Sequence, residues 1–175
     1  MQIEDLFRGI RSEAFRLELL DCYHIKGEWE QFQQFKKGKD IVADDETEQF
    51  YQIIRRYVSE GKKIIRVHVI PKKPTDYLKF EIKTGYVPQL RAGAKIYLLY
   101  QEEYNHLLQP DFNPNDFWLF DNRVVVELIY DKEGHFLKER SVKDEKTVKK
   151  YTTLKKDVID NGIPLEEWLE DNPNF

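Results

Sequence analysis

Apolar residues recur at helical spacing most clearly between residues 46 and 60, where Phe50, Ile53, Ile54, Tyr57 and Val58 fall at i, i+3, i+4, i+7 and i+8. That spacing predicts an amphipathic helix with one buried stripe. Asp45, with Glu48 three residues on, predicts its cap, and Gly61 offers the left-handed residue at which such a helix stops. The chain then alternates. In KKIIRVHVIP, Ile65, Val67 and Val69 share one side of an extended segment, Arg66 and His68 share the other, and Pro71 ends backbone pairing. The two segments together predict an αβ unit whose helix covers a sheet.

Further on, RVVVELIYDKEGHFLKERSV reads as two strands joined by a turn at Asp131-Lys132-Glu133-Gly134, with glycine supplying the positive φ of a tight turn. The aromatic-rich DFWLFD (116–121) leads into it through Asp121-Asn122, so three consecutive antiparallel strands are expected. AFRLELLD (14–21) alternates Phe15, Leu17 and Leu19 against Arg16 and Glu18, favouring a strand over the helix that Leu and Glu also permit. In PTDYLKFEI, Thr75 is the cap of a short helix, although Phe80 and Ile82 also alternate. AKIYLLYQ (94–101) suits another strand. From Asp144, the positions Val148, Tyr151, Leu154 and Val158 trace a helix face ending at Gly162. Pro164 then opens a short segment with Leu165, Trp168 and Leu169, a tail expected to pack across the sheet. The fold class predicted is α+β: a mixed or mostly antiparallel sheet with a meander in the C-terminal half, covered by helices including 46–60 and 144–161. The whole, 1–175, is expected to be a single domain with a helical C-terminal addition from about 144.

Composition narrows the functional classes. At 41% hydrophobic, the 175 residues can bury a core, and a net charge of −4 gives no domain-wide positive field to hold nucleic acid through its phosphates. A single cysteine, no apolar leader and no membrane-length run together point to a cytoplasmic protein without a membrane segment. Glycine-rich phosphate loops, paired cysteines and the common hydrolase motifs are absent, so no cofactor is implied. His24, His68, His106 and His135 stand apart in the sequence and imply no metal. Cys22 and His24 would share one face of a strand, but a cysteine beside Leu19 and Leu20 reads more readily as a packed thiol than as a nucleophile. Phe112, Phe117, Trp118 and Phe120 fit a core or the wall of an apolar pocket. The lysines from Lys143 to Lys156 are offset by Asp144, Glu145 and Asp157 and read as a solvated helix face.

The polar sides of the expected strands carry the more distinctive chemistry. Arg16 and Glu18, Arg66 and His68, then Asp121, with Asp76, Tyr77 and Glu81 between, would gather carboxylates, guanidinium groups and an imidazole into one cleft if those strands are neighbours. Arginines that clamp an anion and carboxylates with shifted proton affinity suit ligand binding or acid–base chemistry. A closed ion-pair network would account for the same residues.

The blocks in order, Ser12-x-Ala14-Phe15-Arg16-Leu17-Glu18, Tyr23, Glu28, Gly61-Lys62, Arg66-Val67-His68-Val69, Pro71, Asp76-Tyr77-Leu78-Lys79-Phe80-Glu81, Gly93 and Asp116-Phe117-Trp118-Leu119-Phe120-Asp121, resemble the family catalogued as domain of unknown function 6879, over roughly residues 5–160. The resemblance implies no settled activity. It implies association with helix-turn-helix regulators, and it draws attention to Arg16, Glu18, Arg66, Asp76, Tyr77, Glu81 and Asp121. Three functional readings follow: a small-ligand-binding or regulatory module working with a small molecule or a transcription regulator; a hydrolase or transferase acting on a phosphorylated or nucleotide-like substrate; and a toxin–antitoxin or defence component.

Overall fold

A computed structural model describes residues 3–173 and 175. Its centre is one seven-stranded mixed sheet in the order β6-β5-β4-β1-β2-β3-β7, built from β1 (Glu13–Glu18), β2 (Lys63–Ile70), β3 (Lys95–Tyr100), β4 (Asp116–Phe120), β5 (Val124–Tyr130), β6 (Phe136–Val142) and β7 (Ile163–Pro164). β1, β2 and β3 run parallel, and the other pairings are antiparallel. The α+β class, the mixed sheet and the meander of β4, β5 and β6 are as the hydrophobic pattern predicts. Asp121 and Asn122 make the β4–β5 turn with φ of 51° and 54°, and Gly134 takes φ 86° in the next turn.

Helices cover both faces. On one, α1 (Ile3–Gly9), α3 (Asp45–Ser59), α4 (Asp76–Glu81), a π-helical turn (Ile82–Tyr86) and α8 (Leu165–Asp171) pack on the face that carries Ala14, Ile64, Ile96 and Val126. On the other, α6 (Gln101–Leu107) and α7 (Glu145–Asn161) pack on Phe15, Leu17, Val67 and Leu119. The alternation in β1 and β2 produces this split, because successive side chains point to opposite faces. α7 is thus a layer of the fold, with Val148, Tyr151, Leu154 and Val158 all buried.

The cap of α3 lies one residue before the expected one. Asp44, extended at ψ 174°, accepts the Thr47 amide at 2.9 Å, and Asp45 is the first helical residue. Both aspartates are competent caps. Packed on the sheet, the helix buries Tyr51, Ile54 and Tyr57, with Phe50, Ile53 and Val58 at the flanks of the stripe. α4 has the Thr75 cap that the sequence predicts, bonded to the Leu78 amide at 3.0 Å. α2 (Glu28–Phe35) and α5 (Val87–Arg91) complete the crossovers between the parallel strands.

Candidate functional site

Register brings the charges together. Arg16 of β1 lies opposite Arg66 of β2 on one side and opposite Trp118 of β4 on the other, and Glu18 lies opposite His68. All point to the face covered by α3 and α4, since that parity is shared with Ala14, Ile64 and Phe120. Two guanidinium groups side by side would repel, and Glu18 resolves the conflict by bridging them, with Oε2 2.5 Å from Arg66 Nη1 and Oε1 3.6 Å from Arg16 Nε. Both guanidinium carbons lie 5.9 Å from the Trp118 ring centre, and that of Arg66 lies 5.3 Å from the Tyr86 ring.

Asp116 at the start of β4 completes the second pair. It accepts from Arg16 Nη2 at 2.9 Å, from the Tyr23 hydroxyl at 2.5 Å and from the Leu19 amide at 3.1 Å. Above the sheet, Tyr86 Oη stands 2.7 Å from His68 Nδ1, 2.9 Å from Glu18 and 3.5 Å from Glu81. The π-helical turn makes that contact: its wider winding brings Tyr86, five residues after Glu81, to the same inward side. Tyr77 donates to Glu28, the first residue of α2.

Environment sorts the ionisable groups. Burial opposes the charge of Glu18, but Arg66 and Arg16 outweigh it and hold the carboxyl at about 2. Burial, reinforced by Glu18 and Glu28, pushes Glu81 far above the carboxylate range, so it is a neutral acid. Asp116 is pushed up to about 6 by burial, against the pull of Arg16. Burial also lowers His68 and raises Glu28 and Tyr86. His68 is therefore neutral, with Nε2 donating to the Leu20 carbonyl at 2.9 Å and Nδ1 free to accept.

Arg16, Glu18, Arg66, Glu81 and Tyr86 floor an open cleft of about 660 Å³, walled by Phe50, Tyr51, Trp118, Leu128 and Tyr130 and rimmed by Lys26, Glu28, Asp44 and Glu46. Arg16 Nη1, Arg66 Nε and Glu81 Oε2 are buried without a hydrogen-bond partner, the only such side-chain atoms among the described residues besides the Tyr104 hydroxyl. A larger cavity of about 1160 Å³ lies between α1 and α7 at the opposite end of the sheet, lined by Arg11, Arg123, Lys143 and Lys149, and none of these unpartnered atoms borders it.

Of the residues singled out in the sequence, the structure brings Arg16, Glu18, Arg66, His68 and Glu81 into one network, with Tyr77 outside it, donating to Glu28 at the cleft rim. Two lie elsewhere. Asp121 caps the opposite end of β1, accepting the amides of Arg11, Ser12 and Glu13 at 2.8 to 3.2 Å, because it follows β4 where that antiparallel strand leaves the cleft. Asp76 is exposed at the first turn of α4, a half-turn away from the buried face that holds Tyr77 and Glu81. Sequence reasoning missed Tyr86, Asp116 and Tyr23 as members. Asp116, Tyr23 and Glu28 were visible in the ordered blocks, whereas Tyr86 depends on a π turn that no periodicity announces. Cys22 is half-buried and its thiol is pushed up to about 11, chiefly by burial, which makes it a poor nucleophile.

An α+β domain with a charged cleft on the helix-covered face of its sheet is thus defined. The chain belongs to the family described as domain of unknown function (DUF6879), whose model matches residues 1–170. No curated protein matches it. Among the described residues no helix is long and apolar enough to cross a membrane.

Proposed function

We propose that the protein is a small-ligand-binding module and that the cleft above Arg16 and Arg66 is its binding site. One observation carries the reading: the buried Arg16, Arg66 and Glu81 line an open cleft and keep polar atoms without partners. A network built only for architecture would be closed and mutually satisfied, since each buried unpaired polar group costs about 1–3 kcal/mol. Aromatic walls with a few convergent polar groups are the usual make-up of a small-molecule site. Such a module suits a regulatory partnership, in which a protein partner reads whether the cleft is filled.

The test is a thermal-shift screen of organic acids, nucleotides and phosphorylated metabolites. A ligand present at 100 times its dissociation constant stabilises the native state by about 2.7 kcal/mol, which for a chain of this size raises the melting temperature by roughly 5–11 °C. A flat response across the library, with cleft amide resonances also unmoved, would remove the small-molecule reading.

A second reading is a hydrolase or transferase acting on a phosphorylated or nucleotide-like substrate. What favours it is that Glu18 and Glu81 are pushed in opposite directions, an arrangement that separates an ionised carboxylate from a neutral acid. Turnover of phosphate esters or nucleotides that disappears in Glu81→Gln would support it. Binding without turnover would leave the module reading in front.

A further inference from the structure

We propose that the cleft takes a monocarboxylic acid with a flat apolar body, its carboxylate seated on Arg66 beside Arg16. This rests on the small-ligand reading above and adds the chemical class. The unpartnered guanidinium atoms are N–H groups, which can only donate, so the missing partner is an acceptor. Arg16 also interacts with the Tyr130 hydroxyl, which leaves Arg66 Nε as the emptier donor. The Arg66 side chain borders the cleft and is 13% exposed, with Glu18 on its Nη1; Nε itself is buried, so a ligand meets it as the side chain turns toward the cleft. An arginine with one edge held and an unpaired Nε on the other is suited to a planar carboxylate, which can meet two N–H groups at once.

Charge decides against a more highly charged group. Arg16 and Arg66 are already faced by Glu18 and Asp116, and at the rim Asp44 and Glu46 outnumber Lys26. A dianionic phosphate would add two negative charges to that surrounding, a carboxylate only one. Glu81, held neutral, adds no repulsion and brings a carboxyl group that can share its proton with an acceptor. Phe50, Tyr51, Trp118, Leu128 and Tyr130 provide walls for an apolar or aromatic body.

The experiment uses four matched probes, 3-phenylpropionate, 3-phenylpropionamide, 3-phenylpropylamine and phenyl phosphate, titrated into the full chain and followed by Trp fluorescence and ligand-observed NMR. A charge-assisted arginine contact predicts that the carboxylate binds roughly 10- to 100-fold more tightly than the amide, with the amine and the phosphate weaker still. Arg66→Lys keeps a cation beside Glu18 but removes the Nε donor and the planar fork. It is expected to lower carboxylate affinity at least ~10-fold while melting within a few degrees of the parent. Lys149→Ala, on the wall of the larger cavity, is expected to leave the affinity unchanged. An amide or phosphate that binds as tightly as the carboxylate, or Lys149→Ala weakening binding where Arg66→Lys does not, overturns the proposal. If none of the probes binds but another compound shifts the cleft resonances, the carboxylate class fails and the site stands. If nothing in the wider screen binds either, both fall.

Discussion

Replacing Arg66 by methionine tests whether the charged floor behaves as one unit. Methionine keeps much of the aliphatic length and removes the guanidinium, so the perturbation falls on Glu18, which retains Arg16 at 3.6 Å and the Tyr86 hydroxyl at 2.9 Å. In the parent, Glu18 is held at about 2 against an ordinary 4.5. At about 1.4 kcal/mol for each tenfold change in proton affinity, that preference contributes about 3 kcal/mol of stability. Because the folded-state value is depressed, this contribution is present above pH 4.5 and is lost as pH falls toward 2. Removing one partner of a buried ion pair costs about 3–5 kcal/mol by general experience. Arg66 keeps some exposure and Arg16 remains, so the lower figure applies. The expected loss is about 3 kcal/mol at pH 7, or a melting temperature lower by about 6–12 °C. The gap should narrow toward pH 5, because Glu18 without Arg66 takes up a proton more readily and relieves the strain. Urea unfolding followed by tryptophan emission at the two pH values measures both quantities. A loss under about 1 kcal/mol at pH 7, the range of an exposed pair, would refute the reasoning, as would a gap that widens in acid.

Elsewhere in the molecule, Arg140 is 61% exposed but both its Nε and Nη2 bind Glu127, whose side chain is 1% exposed. Arg140→Ala should therefore cost about 2 kcal/mol, measured by urea unfolding, whereas Lys138→Ala on the same exposed strand should stay within about 0.5 kcal/mol. Asp121→Ala removes an acceptor shared by three amides and should cost about 2 kcal/mol near neutrality, leaving ligand binding in the cleft unchanged. Backbone amides lower the Asp121 carboxyl despite some burial, so its contribution is lost as pH falls below its ordinary 3.8 and the variant's deficit should shrink in acid. Gly134→Ala would place a Cβ 2.5 Å from the Cys22 carbonyl oxygen at a φ of 86°, and should lower stability by at least ~2 kcal/mol in thermal unfolding.

The parts of the fold legible in the sequence are those where one period dominates. β2 and α7 both form where their periods predict; α7 buries its expected face, whereas β2 is buried on both faces, because helices cover both sides of the sheet. α1, α2 and α6 run only seven or eight residues, too short to be stable alone even where apolar residues recur as Ile3, Leu6 and Phe7 do. They form because the fold offers them a surface, the sheet for α1 and α6 and α4 for α2. The site divides in the same way. Arg16, Glu18, Arg66 and His68 were legible because an apolar strand face declares the opposite face at once. Their proximity was not legible, since strand order is a long-range property: β1 could have neighboured any strand, and only its position between β2 and β4 sets Arg16 against Arg66 and Trp118. Asp121 shows the limit. It shares β4's aromatic block with Asp116, yet the five-residue strand carries the two aspartates to opposite ends of β1.

The protons around Tyr86 tie these pieces together. Its hydroxyl has one hydrogen and two close acceptors, His68 Nδ1 and Glu18 Oε2. His68 Nε2 is committed to the Leu20 carbonyl, so neutral Nδ1 needs a donor, while Glu18 already receives Arg66 and the nearby charge of Arg16. Glu81, held neutral with Oε2 3.4 Å from Nδ1, is a second donor to that nitrogen, which lets the Tyr86 hydroxyl donate to Glu18. Anything that draws Arg66 toward the cleft leaves Glu18 short of a donor, and Tyr86 is the group within reach to supply it. Tyr86 sits on the π turn between α4 and α5, and His68 holds the Leu20 carbonyl in the segment that leads to Tyr23 and α2. Occupancy of the cleft would thus be felt at both elements that line it, through the protons shared among Tyr86, Glu81 and His68.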